Sequence, residues 1–224
     1  MSIAERLEQL RATLPAHVTL VAISKTQPAE AIREAYTAGQ RHFGENYAQE
    51  WRDKSAALAD LTDLVWHFVG GLQSNKVKML IPGEPQAGPG RPSVDWIQTV
   101  DRPSLAQEIS RRASAHGSQL RVRALVEVNV GSEASKSGCA QADVPGLVEV
   151  ISRLPGIELR GLMCIPPTED DPRPHFAALR KLRDALGLAD LSMGMSGDYP
   201  IAVEEGATLV RVGTALFGAR PPRP

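Results

Sequence analysis

The chain has 224 residues, of which 42% are hydrophobic and 23% are charged; these values are close to the globular average and exclude wholesale disorder. This length predicts one domain spanning residues 1–224, large enough to fold without a disulfide or a metal. The formal net charge of -1 argues against nucleic-acid or membrane-surface binding driven by bulk charge, so we expect neither as a partner.

The N-terminal segment is predicted to form a helix in front of the main fold. Ser2 and Glu5 have the spacing of a capping box, and Leu7 and Leu10 fall on one face of the helix. Glu5 and Glu8 interrupt the apolar core that a signal peptide needs, and no run of about 18 apolar residues follows. We therefore expect a cytoplasmic protein.

From Val18 onward, short apolar or β-branched runs alternate with helical stretches. The predicted strands are Val18–Ser24, Arg41–Gly44, Leu64–Gly70, Val94–Val100, Leu120–Val130, Ile157–Ile165, Asp190–Met193 and Thr208–Gly213. The predicted helices between them are Ala29–Ala38, Tyr47–Ala59, Ser74–Leu80, Arg102–Ala115, Val144–Leu154, Pro174–Leu186 and Pro200–Glu205. Repeated βα units of this number predict an α/β fold, a single (β/α)8 TIM barrel with a parallel sheet. An open doubly wound sheet is the alternative, but no G-x-G-x-x-G motif follows the first strand.

Two segments between the predicted elements are interpreted as loops. Pro82–Pro92 is rich in proline and glycine and is predicted to be a mobile surface loop. Ser135–Gly138 is either a solvated polar loop or a basic lip near a ligand. Cys139 and Cys164 lack CxxC spacing, which excludes a disulfide scaffold and a zinc ribbon, and we expect Cys164 to be a small core residue. The histidines have no metal-ligand spacing, so no metal is expected.

Lys25 directly follows the first predicted strand. In a TIM barrel, chemistry takes place at the C-terminal ends of the strands. Desolvation there lowers the pKa of a lysine, and its neutral amine becomes available as a nucleophile toward an aldehyde. The alternative is a lysine that extends to solvent at the rim of the barrel.

Loops of small residues follow the last two predicted strands. Gly213 and Thr214 follow the final strand, where barrels commonly hold a phosphate on backbone N–H groups and hydroxyls. The segment 192–198 supplies a second loop with glycine and serine, so the two loops together predict a phosphate site. Arg211 is expected to face inward, either in a buried ion pair with Glu127 or bonded to a ligand atom that carries no proton.

Several segments, in order along nearly the whole chain, resemble the YggS/PROSC family of pyridoxal phosphate homeostasis proteins. They are Ala22–Thr26 (AISKT), Phe43–Tyr47 (FGENY), His67–Lys76 (HFVGGLQSNK), Ser135–Gly138 (SKSG), Gly161–Met163 (GLM), Leu191–Ser196 (LSMGMS) and Arg211–Gly218 (RVGTALFG). No single segment is decisive, but the set is highly specific. The chain departs from the family pattern at Gly71, where proline is frequent, and at Gly197.

The resemblance implies a barrel of the alanine racemase N-terminal type, with an extra N-terminal helix, that binds pyridoxal 5'-phosphate. It implies that Lys25 forms the internal Schiff base with this cofactor. Ser196, Gly213 and Thr214 are implied to hold the phosphate, and Arg211 to face the pyridine nitrogen. The remaining implied cofactor-binding residues, near the ring or in the pocket wall, are Asn46, His67, Met193 and Gly194.

The implied function is homeostasis of pyridoxal phosphate inside the cell, by buffering the cofactor and delivering it to PLP-dependent apo-enzymes. An arginine at the pyridine nitrogen keeps a proton off the ring and weakens the electron sink. Alanine racemases add a second β domain and a tyrosine from the partner subunit, whereas this chain ends at residue 224. We therefore expect a monomer without efficient amino-acid turnover. The alternatives are a PLP-dependent amino-acid racemase and a barrel that binds another phosphorylated metabolite without covalent chemistry.

Overall fold

The structure, a computed structural model, describes residues 1–82, 93–115, 120–131 and 137–218. Residues 83–92 of the predicted Pro82–Pro92 loop lie outside the described residues, as do residues 135–136 of the Ser135–Gly138 segment. Within the described part, eight parallel strands close into a barrel surrounded by helices. The predicted TIM-barrel fold is therefore confirmed.

The sheet has a strand order that brings its two ends together. Its strands are β1 (Thr19–Ile23), β2 (His42–Glu45), β3 (Val65–Phe68), β4 (Trp96–Val100), β5 (Val122–Asn129), β6 (Cys139–Ala140), β7 (Ile157–Met163), β8 (Asp190–Ser192) and β9 (Leu209–Val212). The order β4-β3-β2-β1-β9-β8-β7-β5 closes because β4 also pairs with β5. Strand β6, which the sequence analysis did not predict, pairs with β5 outside this ring.

The helices lie close to their predicted positions. They are α1 (Ile3–Thr13), α2 (Ala29–Thr37), α3 (Ala48–Ala57), α4 (Val77–Leu80), α5 (Pro103–Ser114), α6 (Val144–Ser152), α7 (Pro172–Ala185), α8 (Tyr199–Glu204) and α9 (Thr214–Phe217). The stretch Ser74–Leu80, predicted as one helix, begins with a 3-10 turn over Ser74–Lys76. Helix α1 begins with the predicted capping box of Ser2 and Glu5. Among the described residues, no helix is both long enough and apolar enough to cross a bilayer.

Two apolar clusters lie on opposite faces of the barrel wall. Buried residues of the larger cluster include Ile97 and Leu162, and it joins the outer face of the strands to the helices. Trp96, Leu125 and Met163 form a smaller cluster. Because successive side chains of a strand point to opposite faces, this smaller cluster fills part of the barrel interior.

Candidate functional site

The loops that carry the predicted site residues emerge side by side from the barrel. Strand β1 pairs with β2 on one side and with β9 on the other, and β9 pairs with β8. The carboxyl ends of parallel strands meet at one end of the barrel. This topology therefore places Lys25 between Asn46, which follows β2, and the Gly213–Thr214 turn, which follows β9.

A pocket of about 260 Å³ opens at this end of the barrel. It is lined by Ile23, Lys25, Asn46, Val69, Ile165, Met195, Ser196, Gly197, Arg211, Gly213 and Thr214. The structure thus brings together most of the predicted cofactor-binding residues. An amine, a guanidinium and two hydroxyls border one cavity, and they come from three neighbouring strands, β1, β9 and β8, or the loops that follow them.

The two loops predicted to hold a phosphate meet through their hydroxyl groups. Thr214 Oγ1 lies 3.3 Å from Ser196 Oγ, within hydrogen-bond distance. Gly213 precedes Thr214 and packs closely on β1, because a Cβ added there would lie 3.3 Å from the Ile23 carbonyl oxygen. The pair of hydroxyls can donate two hydrogen bonds to a single anionic group.

Arg211 is held firmly although it borders the pocket. Its side chain is buried, Nη1 donates to Ser192 Oγ at 2.7 Å, and Nη2 donates to the Cys164 carbonyl oxygen at 2.9 Å. Burial lowers the pKa of Arg211 from its ordinary value, and nearby acidic groups, among them Glu127, oppose that shift. Since a guanidinium has five N–H donors and no acceptor, Arg211 can offer a ligand only a hydrogen-bond donor.

The predicted alternative of a direct ion pair between Arg211 and Glu127 is wrong. The two charges interact at longer range, and the hydrogen bonds of the guanidinium go to Ser192 and Cys164. Burial raises the pKa of Glu127 to about 7, Asp101 adds to the rise, and Arg211 opposes it. Cys164 is fully buried, as predicted, and burial raises the pKa of its thiol to about 12, so it is a poor nucleophile.

The backbone on both sides of Lys25 is bonded to α3. Lys54 Nζ donates to the carbonyl oxygen of Ser24 at 2.7 Å. On the other side, the Thr26 N–H donates to Glu50 Oε1 at 2.5 Å. Thr26 has a φ of 65°, a left-handed conformation that costs a threonine free energy and needs support from its surroundings. Hydrogen bonds from two side chains of α3 therefore fix the backbone of the loop that carries Lys25.

Lys54 is the centre of a buried ionic cluster. Its ammonium lies 2.8 Å from Glu45 Oε1 and 2.6 Å from Glu50 Oε1, and Ser24 Oγ donates to Glu45 Oε1 at 2.7 Å. Burial raises the pKa of Glu45, and the ammonium of Lys54 opposes that rise. This cluster was not predicted from the sequence. The sequence signal for it is Glu50 followed four residues later by Lys54, in a helix that comes after a strand ending in Glu45.

Asn46 reaches the pocket because Gly70 lets two loops approach closely. A Cβ added at Gly70 would lie 2.0 Å from the Asn46 carbonyl oxygen, which no side chain could accommodate without moving the backbone. At Gly71, by contrast, nothing lies within 4 Å of an added Cβ. A side chain at position 71 would therefore meet no neighbouring atom.

Three of the predicted cofactor-binding residues do not border the pocket. His67 is fully buried inside the barrel, where its ring stacks on Trp96 with centroids 5.2 Å apart. Met193 is fully buried in the larger apolar cluster. Gly194 has a φ of 88°, and its carbonyl oxygen accepts a hydrogen bond from the backbone N–H of Arg211 at 2.9 Å. In this loop the pocket is lined instead by the residues that follow, Met195 and Ser196.

The described residues hold no group of three or more His, Cys, Asp or Glu side chains that could bind a metal ion. The pocket lining offers an amine, a guanidinium, an amide and hydroxyls.

Comparisons with known proteins agree on one type of domain. The family model "Alanine racemase, N-terminal domain" matches residues 1–221. A Pseudomonas aeruginosa relative named "Pyridoxal phosphate homeostasis protein" is 50% identical over 211 residues, 92% of this chain and 86% of the relative. The structure of PipY from Synechococcus elongatus with PLP bound has a TM-score of 0.86 at 42% identity, over 97% of this chain and 100% of that chain.

Alanine racemase itself is a more distant structural neighbour. A structure of the enzyme from Clostridium difficile has a TM-score of 0.76 at 15% identity, over 99% of this chain and 57% of that chain. This likeness shows the barrel fold alone.

Proposed function

The chain belongs to the alanine racemase N-terminal domain family, and on this premise we propose that it binds pyridoxal 5'-phosphate through Lys25 and acts in the homeostasis of that cofactor. One observation carries the proposal. Lys25, Arg211 and the hydroxyls of Ser196 and Thr214 border the same small pocket. The cofactor has an aldehyde, a ring nitrogen and a phosphate, and each has a chemical counterpart among these residues.

The donor set suits this cofactor. Ser196 and Thr214 supply hydroxyl donors to the phosphate, and Gly213 keeps the turn close to β1. Arg211 can donate to a ring nitrogen that has a free lone pair, but not to one that carries a proton. Lys25, half-buried on a loop bonded to α3, supplies the amine that condenses with the aldehyde. Asn46 completes the wall beside Lys25.

The proposed role is to store and deliver the cofactor. When bound, pyridoxal phosphate supplies a reactive aldehyde and, if its ring is protonated, an electron sink for carbanions. Arg211 disfavours the protonated ring, so this chain's own residues favour holding the cofactor over amino-acid chemistry. The name of the Pseudomonas aeruginosa relative and the PLP bound to PipY support the same assignment.

The proposal also covers the setting in which the protein acts. We expect a single domain over residues 1–224, a monomer, a cytoplasmic location, and PLP-dependent apo-enzymes as recipients. Light scattering during size-exclusion chromatography tests the monomer. Transfer of cofactor to an apo-enzyme tests delivery: we expect the loaded protein to transfer it faster than the same concentration of free cofactor mixed with the non-binding Lys25→Ala variant does.

The absorption spectrum of the purified protein tests the proposed binding. We expect added pyridoxal phosphate to produce a visible band in the wild type and in Lys181→Ala, which removes an exposed lysine of α7. Lys25→Ala should lack this band. A wild type that never takes up the cofactor, or a Lys25→Ala protein with the wild-type spectrum, contradicts the proposal.

Solvent deuterium exchange separates storage from racemisation. The loaded protein is incubated in D₂O with a panel of amino acids, and exchange at the α-carbon is followed. We expect no sustained turnover. Sustained exchange would establish the racemase alternative instead, whereas cofactor affinity that Lys25→Ala leaves unchanged would favour a barrel that binds without covalent chemistry.

A further inference from the structure

A line of polar side chains crosses the interior of the barrel and ends at Arg211. Arg211 Nη1 donates to Ser192 Oγ at 2.7 Å, and the Ser192 hydroxyl donates to Gln98 Oε1 at 2.7 Å. Gln98 Nε2 lies 2.9 Å from His67 Nδ1, and His67 Nε2 lies 3.0 Å from His42 Nδ1. These residues come from β9, β8, β4, β3 and β2, so the line links opposite sides of the ring of strands.

Arg211 sets the direction of the first bond in this line, and the orientation of the Gln98 amide sets the direction of the others. A guanidinium only donates, so Ser192 Oγ accepts from it and uses its own proton toward Gln98. The carbonyl of Gln98 is thereby engaged, and its NH₂ group faces His67 Nδ1, which must accept. A neutral His67 then carries its proton on Nε2 and donates it to His42 Nδ1.

The surroundings of the two histidines agree with neutral rings. Burial lowers the pKa of His67 well below its ordinary value, and the charges of His42 and Arg123 add to that shift. Burial also lowers the pKa of His42, again with a contribution from Arg123. Neutral imidazoles have one donor and one acceptor each, which is what the line requires of His67.

We infer that Gln98 is a positioning residue for Arg211, and that a one-way hydrogen-bond line through Ser192, Gln98 and His67 fixes the guanidinium that faces the cofactor. This inference rests on the proposed function, because it assigns a purpose to the orientation of Arg211 toward bound pyridoxal phosphate. Gln98 is fully buried, and its amide accepts from Ser192 on one side and donates to His67 on the other. Leucine at this position can do neither, and glutamate can only accept when ionised.

The line also gives a role to His67, a residue that the family resemblance places near the cofactor ring. His67 acts at a distance, because it gives the Gln98 amide an acceptor and so orients the carbonyl toward Ser192. Without that acceptor, the amide of Gln98 would lie buried with an unpaired N–H.

The first experiment measures cofactor affinity and the absorption spectrum of the loaded protein. Gln98→Leu is expected to weaken affinity by about tenfold and to shift the visible band, because Arg211 loses its support. Gln98→Glu retains an acceptor for Ser192 and should keep affinity within a few-fold of the wild type. Ser110→Ala removes a buried hydrogen bond to Pro155 in another part of the fold, and should leave both readouts unchanged.

The second experiment needs no cofactor. Nitrogen-15 NMR of the histidine rings, assigned through His42→Asn and His67→Asn, reports which nitrogen carries the proton. We expect the Nε2–H form for His67 in the wild type, and a proton on Nδ1 in Gln98→Glu. This measurement still tests the inference if Gln98→Leu does not fold.

The outcomes separate the two claims. A wild type that takes up no cofactor overturns the proposed function. A wild type that does so, with a Gln98→Leu variant of equal affinity and spectrum, overturns only the positioning role of Gln98. A proton on His67 Nδ1 in the wild type contradicts the direction of the line, and the inference with it.

Discussion

Lys54 Nζ lies 2.7 Å from the carbonyl oxygen of Ser24, the residue that precedes Lys25. A buried ammonium on α3 thus holds the end of the first barrel strand, one residue before the amine proposed to bind the cofactor. Glu50, one helical turn before Lys54, holds the N–H of Thr26 on the other side. The position of Lys25 therefore depends on an ionic cluster that does not line the pocket.

Lys54→Met tests how much the fold depends on this cluster. The substitution leaves Glu45 and Glu50 without their cation, and breaking a buried pair in this way costs about 3–5 kcal/mol of the free energy of unfolding. Urea unfolding measures the loss. Arg33→Met is the matched control, since it breaks an exposed ion pair with Asp60 and should cost only a small fraction as much. Equal losses of unfolding free energy in the two variants would show that the buried ion pairs of Lys54 stabilise the fold no more than an exposed pair does.

Gly70 and Gly71 form a matched pair for the loop that supports Asn46. Gly70→Ala places a methyl group against the Asn46 carbonyl, so we expect a loss of about 1–3 kcal/mol in stability and weaker cofactor binding. In Gly71→Ala the added methyl group points into open space, so the free energy of unfolding should change by less than about 0.5 kcal/mol. Thermal unfolding and a cofactor titration of both variants provide the comparison. If Gly70→Ala binds the cofactor like Gly71→Ala, the close approach does not shape the site.

The sequence predicted the barrel well because its strands are short, apolar and regularly spaced. The predicted strand Asp190–Met193, for example, differs from β8 by one residue. Lys25 and Thr214 could be placed in the site because each follows a recognisable strand, whereas Asn46 was implied by the family resemblance. What could not be predicted is the pairing of polar residues that are far apart in the chain. Gln98 and Ser192 are 94 residues apart, and each reads as an isolated polar residue in an apolar strand.

Lys54 illustrates the same limit in a helix. A lysine among the charged residues of α3 has the pattern of a solvent-facing residue, and only the fold shows that it points at Glu45. His67 lies in a family segment, so the resemblance implies a place in the pocket, yet its position in β3 turns its side chain into the barrel interior, away from the pocket lining. Proximity along a motif and proximity in space differ most where side chains alternate between the faces of a strand.

The hydroxyls of Ser196 and Thr214 are expected to hold the phosphate of the cofactor. Each hydrogen bond to a charged group contributes about 1.5–3 kcal/mol, so Ser196→Ala and Thr214→Ala should each weaken affinity by about tenfold or more. Spectroscopic titration with pyridoxal phosphate measures this, and titration with pyridoxal, which has no phosphate, is the control ligand. Ser104→Ala, an exposed serine of α5, should have no effect. If the substitutions weaken pyridoxal and its phosphate equally, these hydroxyls do not recognise the phosphate.

Glu127 should make stability depend on pH. Its pKa is raised from 4.5 to about 7, mainly by burial, so between these values the folded chain binds a proton that the unfolded chain has released. The contribution of Glu127 therefore falls as pH rises from about 4.5 to 7, by on the order of 2–3 kcal/mol. We expect the stability of the wild type relative to Glu127→Gln to fall over this window, as measured by urea unfolding at several pH values. Parallel pH profiles for the two proteins would contradict the raised pKa.

Reductive trapping followed by peptide mapping tests the central claim most directly. The loaded wild type is treated with borohydride, digested, and searched for the mass of the reduced cofactor on each lysine-containing peptide. We expect the added mass on the peptide that contains Lys25, and no such label there when Lys25→Ala is treated in the same way. A label spread over surface lysines such as Lys181, with Lys25 unmodified, would contradict the account.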